Sequence, residues 1–177
     1  MFERLIDLLI QVWDRAAPAF IVHAYQTAGV LRFGRYHRTC PPGFHMKWPF
    51  VEEAIEVLTT VTTIRLPAQT ITTADGKSIV ASAMVKYSIR DVQPYITEIT
   101  DQHDVLADVT CGSIRMAVRE MTADQLVAEP PERRVVELVR KQVNEYGFKV
   151  HSVTFIDLAA VKTLRLIAGH VPLSLDN

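Results

Sequence analysis

The first 22 residues, MFERLIDLLIQVWDRAAPAFIV, set Phe2, Leu5, Ile6, Leu9, Val12, Trp13 and Ala16 on one helical face, with Glu3, Asp7, Gln11, Asp14 and Arg15 opposite. That spacing predicts a strongly amphipathic helix. From residue 24 the period shortens towards two. AYQTAGVLRF reads as a first strand, and VEEAIEVLTTVTTIRL at 51–66, rich in β-branched types, reads as another. Two alternating runs then flank Asp75-Gly76-Lys77, the strongest hairpin signal in the chain, with Asp75 and Gly76 expected to supply the positive φ values. In the second arm Ile79, Ala81, Ala83, Val85, Tyr87 and Ile89 share one face, while Ser82, Lys86 and Ser88 share the other. The sheet is therefore predicted to be one-sided.

After Asp91 the period becomes helical. Residues 101–120 carry Val105, Leu106, Val109, Met116 and Ala117 on a broad face, with Gly112 and Ser113 small enough to admit a close neighbour and Cys111 packed beside them. A second helix is bounded by Pro130-Pro131 and Gly147 and striped by Val135, Val136, Val139, Val143 and Tyr146. Its charges follow the helix dipole, Glu132 early and Arg140-Lys141 late. FKVHSVTFIDL at 148–158 reads as a strand whose alternation slips at Ser152-Val153, the mark of a bulge or of burial on both faces. A further helix is expected to start over 159–169.

The 177 residues suit one domain with a sizeable core. With 19 basic and 20 acidic residues the net charge is −1, so no bulk electrostatic attraction to nucleic acid is expected. Cys40 and Cys111 match no zinc or redox spacing. Ala17-Pro18-Ala19 resembles a signal-peptide cleavage site, but Asp14 and Arg15 interrupt the apolar run before it.

The same two charges bear on whether the first helix spans a membrane. Asp or Arg at a helix centre costs about 2.5–3.5 kcal/mol, and each strongly apolar residue returns about 0.3–0.6 kcal/mol. The nine Leu, Ile, Val and Phe residues of 5–22 do not clearly offset Asp14 and Arg15. The helix is expected to lie in the interface, with Phe2, Leu5, Ile6, Leu9, Val12, Trp13 and Phe20 as its membrane-binding residues. The alternative is that this face packs on the protein's own core or on another copy.

The stretch GRYHRTCPPGFHMKWPF at 34–50 admits three readings: a metal site at His37, Cys40 and His45, an anion site at its arginines, or a shaped connection. Pro41-Pro42-Gly43 favours the connection, from the first strand to a strand beginning near Phe44, since Pro presets φ and Gly permits its positive values. The histidines lack ligand spacing such as H-E-x-x-H. Arg32, Arg35, His37, Arg38 and Lys47 either face anionic headgroups or are solvated turn charges. Trp48 and Phe50 are candidates for the membrane interface, with at least one expected under the sheet. Cys40 is a candidate palmitate acceptor.

GVLRFGRYHRTCPPGFHMKWPFVEEAIEV resembles the opening of the SPFH or band 7 domain, the family of stomatins, prohibitins and flotillins. The similarity continues through LPAQTITTADGKSIVASAMVKYSIRDV, REMTADQL and VRKQVNEYGFKVHSVTFIDLA. It implies an α+β fold, a small, mostly antiparallel mixed sheet packed with helices and seated at a membrane surface. Three parts are expected: the helix at 1–22, the SPFH domain at 23–165 and a short tail at 166–177. Longer family members continue into a coiled coil after a helix like AAVKTLRLIAGH, and no heptad run of useful length is found here.

No nucleophile elbow, P-loop or dinucleotide fingerprint is present, so no catalytic, cofactor-binding or metal-ligating residue is assigned. The resemblance implies a non-enzymatic, membrane-associated scaffold that self-assembles and organises lipids, membrane proteases or channels. The alternative is a small monomeric module that docks on such a partner or on a larger SPFH assembly.

Overall fold

The computed structural model describes residues 19–160. Nine strands occur in these residues: β1 (Ala19–Val22), β2 (Gln26–Arg32), β3 (Arg35–Cys40), β4 (Gly43–Met46), β5 (Glu52–Leu58), β6 (Thr62–Arg65), β7 (Gln69–Thr72), β8 (Ser78–Ile89) and β9 (Phe148–Ala160). Between β8 and β9 run α1 (Val92–Thr97), α2 (Gln102–Arg119), α3 (Ala123–Ala128) and α4 (Glu132–Val143), the last continued by one 3-10 turn at Asn144–Tyr146. All strand pairs are antiparallel, and the fold is α+β.

Strand β8 is the spine of the larger half. One edge pairs with β7 and then β6, and the other pairs with β9. β6 and β7 are in effect one edge strand broken at Leu66-Pro67-Ala68, where Leu66 N still donates to Ala83 O at 2.8 Å. Pro67 has no N–H to give, which is tolerated at an edge. The face of Ile79, Ala81, Ala83, Val85, Tyr87 and Ile89 is buried, as the alternation predicts. Leu106, Ile114 and Val118 of α2 and Val135, Val139 and Val143 of α4 complete this core. Each such side chain contributes roughly 1.5–3 kcal/mol when taken from water.

The smaller half is a sheet of order β3-β2-β5 with the β1-β4 ribbon over one face and α1 over the other. Val22, Ala28, Val30 and Cys40 fill the space under the ribbon. On the α1 side, Gly29 is the point of closest approach. A Cβ there would lie 2.5 Å from Ile96 Cδ1 and 3.0 Å from the Tyr36 ring.

Several expectations need correction. The segment 51–66 is two strands, because β5 exhausts its partner where Thr59 N donates to Tyr25 O, and the chain then crosses to β8. The connection at 34–50 contains β3, while the strand expected to begin near Phe44 is β4. Among the described residues nothing lies within 4 Å of a Cβ added at Gly112, whereas Ser113 is buried and accepts from Gln142 Nε2 at 3.3 Å. Residues 159 and 160 still belong to β9, and the rest of the helix expected there lies outside the described residues. The slip at Ser152 is a real irregularity, since the register shifts between Lys86 and Tyr87, leaving His151 unpaired, and again between Ser82 and Ala83. The short helices α1 and α3 carry local signals that the periodicity missed, an Asp91 cap on Gln93 N and a Thr122/Gln125 capping box.

In the 73–77 turn only Gly76 has positive φ, +78°. Gly76 N donates to Thr73 O at 3.1 Å and Thr73 N to Lys77 O at 3.0 Å, a tight turn followed by a glycine bulge. Asp75 instead uses its carboxylate, which accepts from Thr73 Oγ1 and from Ala123 N at the start of α3. The Thr73 hydroxyl is the main cause that holds its pKa down at about 2, with Lys77 and the Ala123 amide adding to it against burial.

Two predictions follow from these turns. Ala at Gly76 meets open space and should cost only the left-handed strain, about 1–2 kcal/mol. Ala at Gly147, φ +81°, adds a Cβ only 2.1 Å from Asp91 O and should cost clearly more in a denaturant titration. For Asp75, a depressed folded-state pKa means stability present above the ordinary value of 3.8 and lost as pH falls towards 2. Asp75→Asn should therefore flatten the decline of the thermal midpoint between about pH 4 and pH 2, and an unchanged slope would show that the clasp contributes nothing.

Candidate membrane-facing site

Strands β2 and β3 meet at a two-residue turn, Phe33-Gly34, in which both φ values are positive, 50° and 74°. This is the turn geometry whose twist matches a hairpin, and it normally takes Asn or Gly at the first position. A phenylalanine there is sterically disfavoured. The neighbouring loop before β5 holds a second such residue, Phe50 at φ 67°. The loops are joined, because Phe33 N donates to Val51 O at 3.1 Å.

Both positive-φ side chains point out. Phe33 is 80% exposed, Phe50 76% and Trp48 69%. The expectation that Trp48 or Phe50 lies under the sheet is therefore wrong: the loop between β4 and β5 turns both away from the small core, which is already filled from β1, β2 and β3. Ile21, Phe44 and Met46 extend the exposed apolar surface along the outer face of the β1-β4 ribbon. Met46 and Trp48 share a shallow hollow of about 370 Å³ with Arg38, Lys47 and Pro49. These six large apolar side chains lie in one part of the fold, and it is such clustering, more than exposure itself, that marks an interaction surface.

What keeps these loops in place is Glu52. Its side chain is fully buried and accepts from Arg32 Nε at 2.9 Å, Arg32 Nη2 at 2.6 Å, Trp48 N at 3.1 Å and, more weakly, Arg38 Nη2 at 3.4 Å. Burial pushes the carboxyl pKa up. The Arg32 hydrogen bonds, the Trp48 amide and the two positive charges outweigh it, so Glu52 titrates below the ordinary carboxylate value. Arg38 also donates to Met46 O, tying β4 into the same cluster. Of the basic residues in the stretch, Arg32 and Arg38 are thus committed to Glu52, and among the described residues Arg35 and Lys47 form no ion pair.

His45 and Cys40 of the stretch 34–50 are also engaged within the fold. His45 Nε2 is hydrogen-bonded to Pro41 O at 2.6 Å across the Pro-Pro-Gly turn, and its ring lies 5.7 Å from that of Phe20. Cys40 is buried between Ala28 and Val22, which leaves its sulfur inaccessible to an acyl donor. Among the described residues no three potential metal ligands come together.

Of the residues expected to bind membrane, Phe2, Leu5, Ile6, Leu9, Val12 and Trp13 lie outside the described residues. Phe20 is in β1, not in a helix, and packs partly buried against the small core. Ala19 pairs with Met46, two residues before Trp48, so the chain enters the described structure beside the aromatic loops. Among the described residues no helix is long and apolar enough to cross a membrane. Phe33, Phe44 and Met46 were not singled out from the sequence. Only Phe33 left a trace there, an aromatic set beside a turn glycine at the end of an alternating run.

The model of the SPFH domain / Band 7 family matches residues 20–164. The chain belongs to that family. The SPFH chain is 24% identical over 162 residues to an uncharacterized protein of Archaeoglobus fulgidus, an alignment covering 90% of this chain and 65% of the relative. It is 22% identical over 135 residues to an uncharacterized protein of Methanocaldococcus jannaschii, covering 75% and 68%. It is 21% identical over 121 residues to the modulator of FtsH protease HflK of Escherichia coli, covering 68% of this chain but 29% of that one. No catalytic family is indicated by these matches.

If Glu52 is the fastener of the loops, Glu52→Gln should lower stability by about 1.5–3 kcal/mol. The lower end applies because the two guanidiniums are 40% and 42% exposed and screened by solvent. Amide hydrogen exchange at Trp48 should quicken in the same variant, and protection equal to wild type would show that the loop is held by something else.

Proposed function

We propose that this SPFH domain is a non-enzymatic membrane-seated scaffold that enters the lipid interface through Phe33, Trp48 and Phe50 together with the amphipathic segment that precedes β1. The observation that carries the reading is the outward display of three aromatics on two hydrogen-bonded loops, two of them at backbone angles that bulky residues avoid. Such strain, about 1–3 kcal/mol per residue, persists where the position of the side chain matters more than local comfort. Aromatic rings suit the interface, being apolar in body and tolerant of a wet edge. Arg35 and Lys47 beside them would each add about 1 kcal/mol on an anionic leaflet.

The pairing of Ala19 with Met46 supports a joint anchor, since β1 begins at the aromatic end of the domain. In this reading Leu9 and Trp13 insert alongside Trp48, the segment lies flat, and neighbouring copies assemble side by side on the bilayer. The name of the Escherichia coli relative favours a second reading, in which the domain docks on a membrane protease or a larger SPFH assembly and modulates it.

Vesicle flotation tests the anchor. Replacing Trp48 by Ala and Phe50 by Ser should weaken binding to phosphatidylcholine vesicles at least tenfold, the equivalent of about 1.4 kcal/mol, with an unchanged circular dichroism spectrum. Replacing Leu9 and Trp13 by Glu should have a similar effect, and both sets together should abolish binding. Full retention by the Trp48/Phe50 variant would remove the aromatic loops from the anchor. Mass photometry on supported bilayers then separates the two readings: assemblies of many copies support the scaffold, and single copies support the docking module.

A further inference from the structure

We propose that the hollow bounded by Arg90, the last turn of α4 and the start of β9 binds a multiply charged phosphate-type anion. This inference stands independently of the membrane anchor. The hollow has a volume of about 580 Å³ and is lined by Arg90, Arg140, Lys141 and Lys149 with the Asn144 carboxamide, over a floor that includes the buried Phe148. Among the described residues no carboxylate lines it. Among the described residues none of the four cations takes part in an ion pair. Two acids adjoin lining residues in sequence: Asp91 turns its carboxylate to Gln93 N at 3.1 Å as the cap of α1, and Glu145, beside Asn144, forms no ion pair among the described residues.

Cations gather at helix C-termini to complement the dipole, and that accounts for Arg140 and Lys141. It does not account for Arg90 and Lys149, which arrive from the end of β8 and from β9. Four like charges around one depression repel one another in a chain whose net charge is only −1, and a bound anion relieves that repulsion.

The site is also held in shape before any ligand arrives. Arg140 donates from Nε to Val150 O at 2.8 Å and from Nη2 to His151 O at 3.2 Å. These two bonds leave three of its five N–H groups for an oxyanion and fix the plane in which they are offered. Gly147, in the left-handed region, accepts at its carbonyl from Arg90 N at 2.8 Å and Asp91 N at 3.2 Å. That clamp brings the end of β8 against the turn between α4 and β9, so Arg90 and Lys149 face the same space as the α4 pair. Four cations around one open hollow suit a multiply charged anion such as pyrophosphate or a phosphorylated headgroup.

Inorganic pyrophosphate, titrated into the full chain at constant ionic strength and followed by amide chemical shifts, tests the site. Saturable shifts at Arg90 and Lys149, absent with sodium chloride, are expected. Replacing Lys141 and Lys149 by Gln should weaken binding at least tenfold with an unchanged melting temperature. Arg90→Gln should do the same through a side chain that makes no hydrogen bond among the described residues. Unsaturable shifts, equal shifts with chloride, or undiminished binding by a folded Arg90→Gln variant would each overturn the proposal. Flotation with phosphatidylcholine vesicles, with and without phosphatidic acid, assigns the source. Extra binding on phosphatidic acid that the Lys141/Lys149 variant loses supports the site and makes the anion a lipid headgroup. Pyrophosphate binding with no such extra binding supports the site and makes the anion a soluble phosphate.

Discussion

Strand β8 is hydrogen-bonded along both edges, and nearly every other element takes its position from that constraint. A twelve-residue strand offers more backbone partners than any one short strand can use, so β6 and β7 share one edge while β9 covers the other. Its buried face carries two alanines in succession, Ala81 and Ala83, where bulkier residues would hold the helices away. The valine stripe of α4 and the inner face of α2 then close the core. The smaller half hangs on this body through the β5–β6 crossover and through α1, which is why Gly29 must lack a side chain under Ile96.

The exposed aromatic end obeys a different logic. Among the described residues nothing packs there to offset the cost of two bulky residues at positive φ. A buried carboxylate supplies what packing does not, because Glu52 draws β2, β3 and the Trp48 amide to one point. Polar order below and apolar display above is an arrangement suited to a lipid surface, where the aromatics lose water without needing a protein partner. The basic hollow at the other junction, around Gly147, uses the same economy: backbone clamps set the geometry and leave the charges outward.

Much of the fold was legible because its signals are local. Period-two alternation in β8, the glycine at 76, the proline and glycine bounding α4, and the slip in β9 each report a backbone state that neighbouring residues decide. The short helices were missed for want of length, since six residues show less than two turns of periodicity. The candidate site was legible in part. The stretch 34–50 stood out by composition, yet the buried-tryptophan expectation fails against a core already full without Trp48, and only folding engages His45 with Pro41 and buries Cys40 with Ala28 and Val22.

By itself the sequence determined the long elements β8, α2, α4 and β9 in their order, the one-sided sheet and the family to which the chain belongs, because alternation and turn residues act over a few positions. The tertiary structure alone decided that 51–66 divides between two sheets, that Phe20 faces inward and Phe33 outward, and that four cations from three separated segments share one hollow. Those outcomes depend on which strand edge remains unpaired and which volume is already filled, and both are properties of the assembled chain.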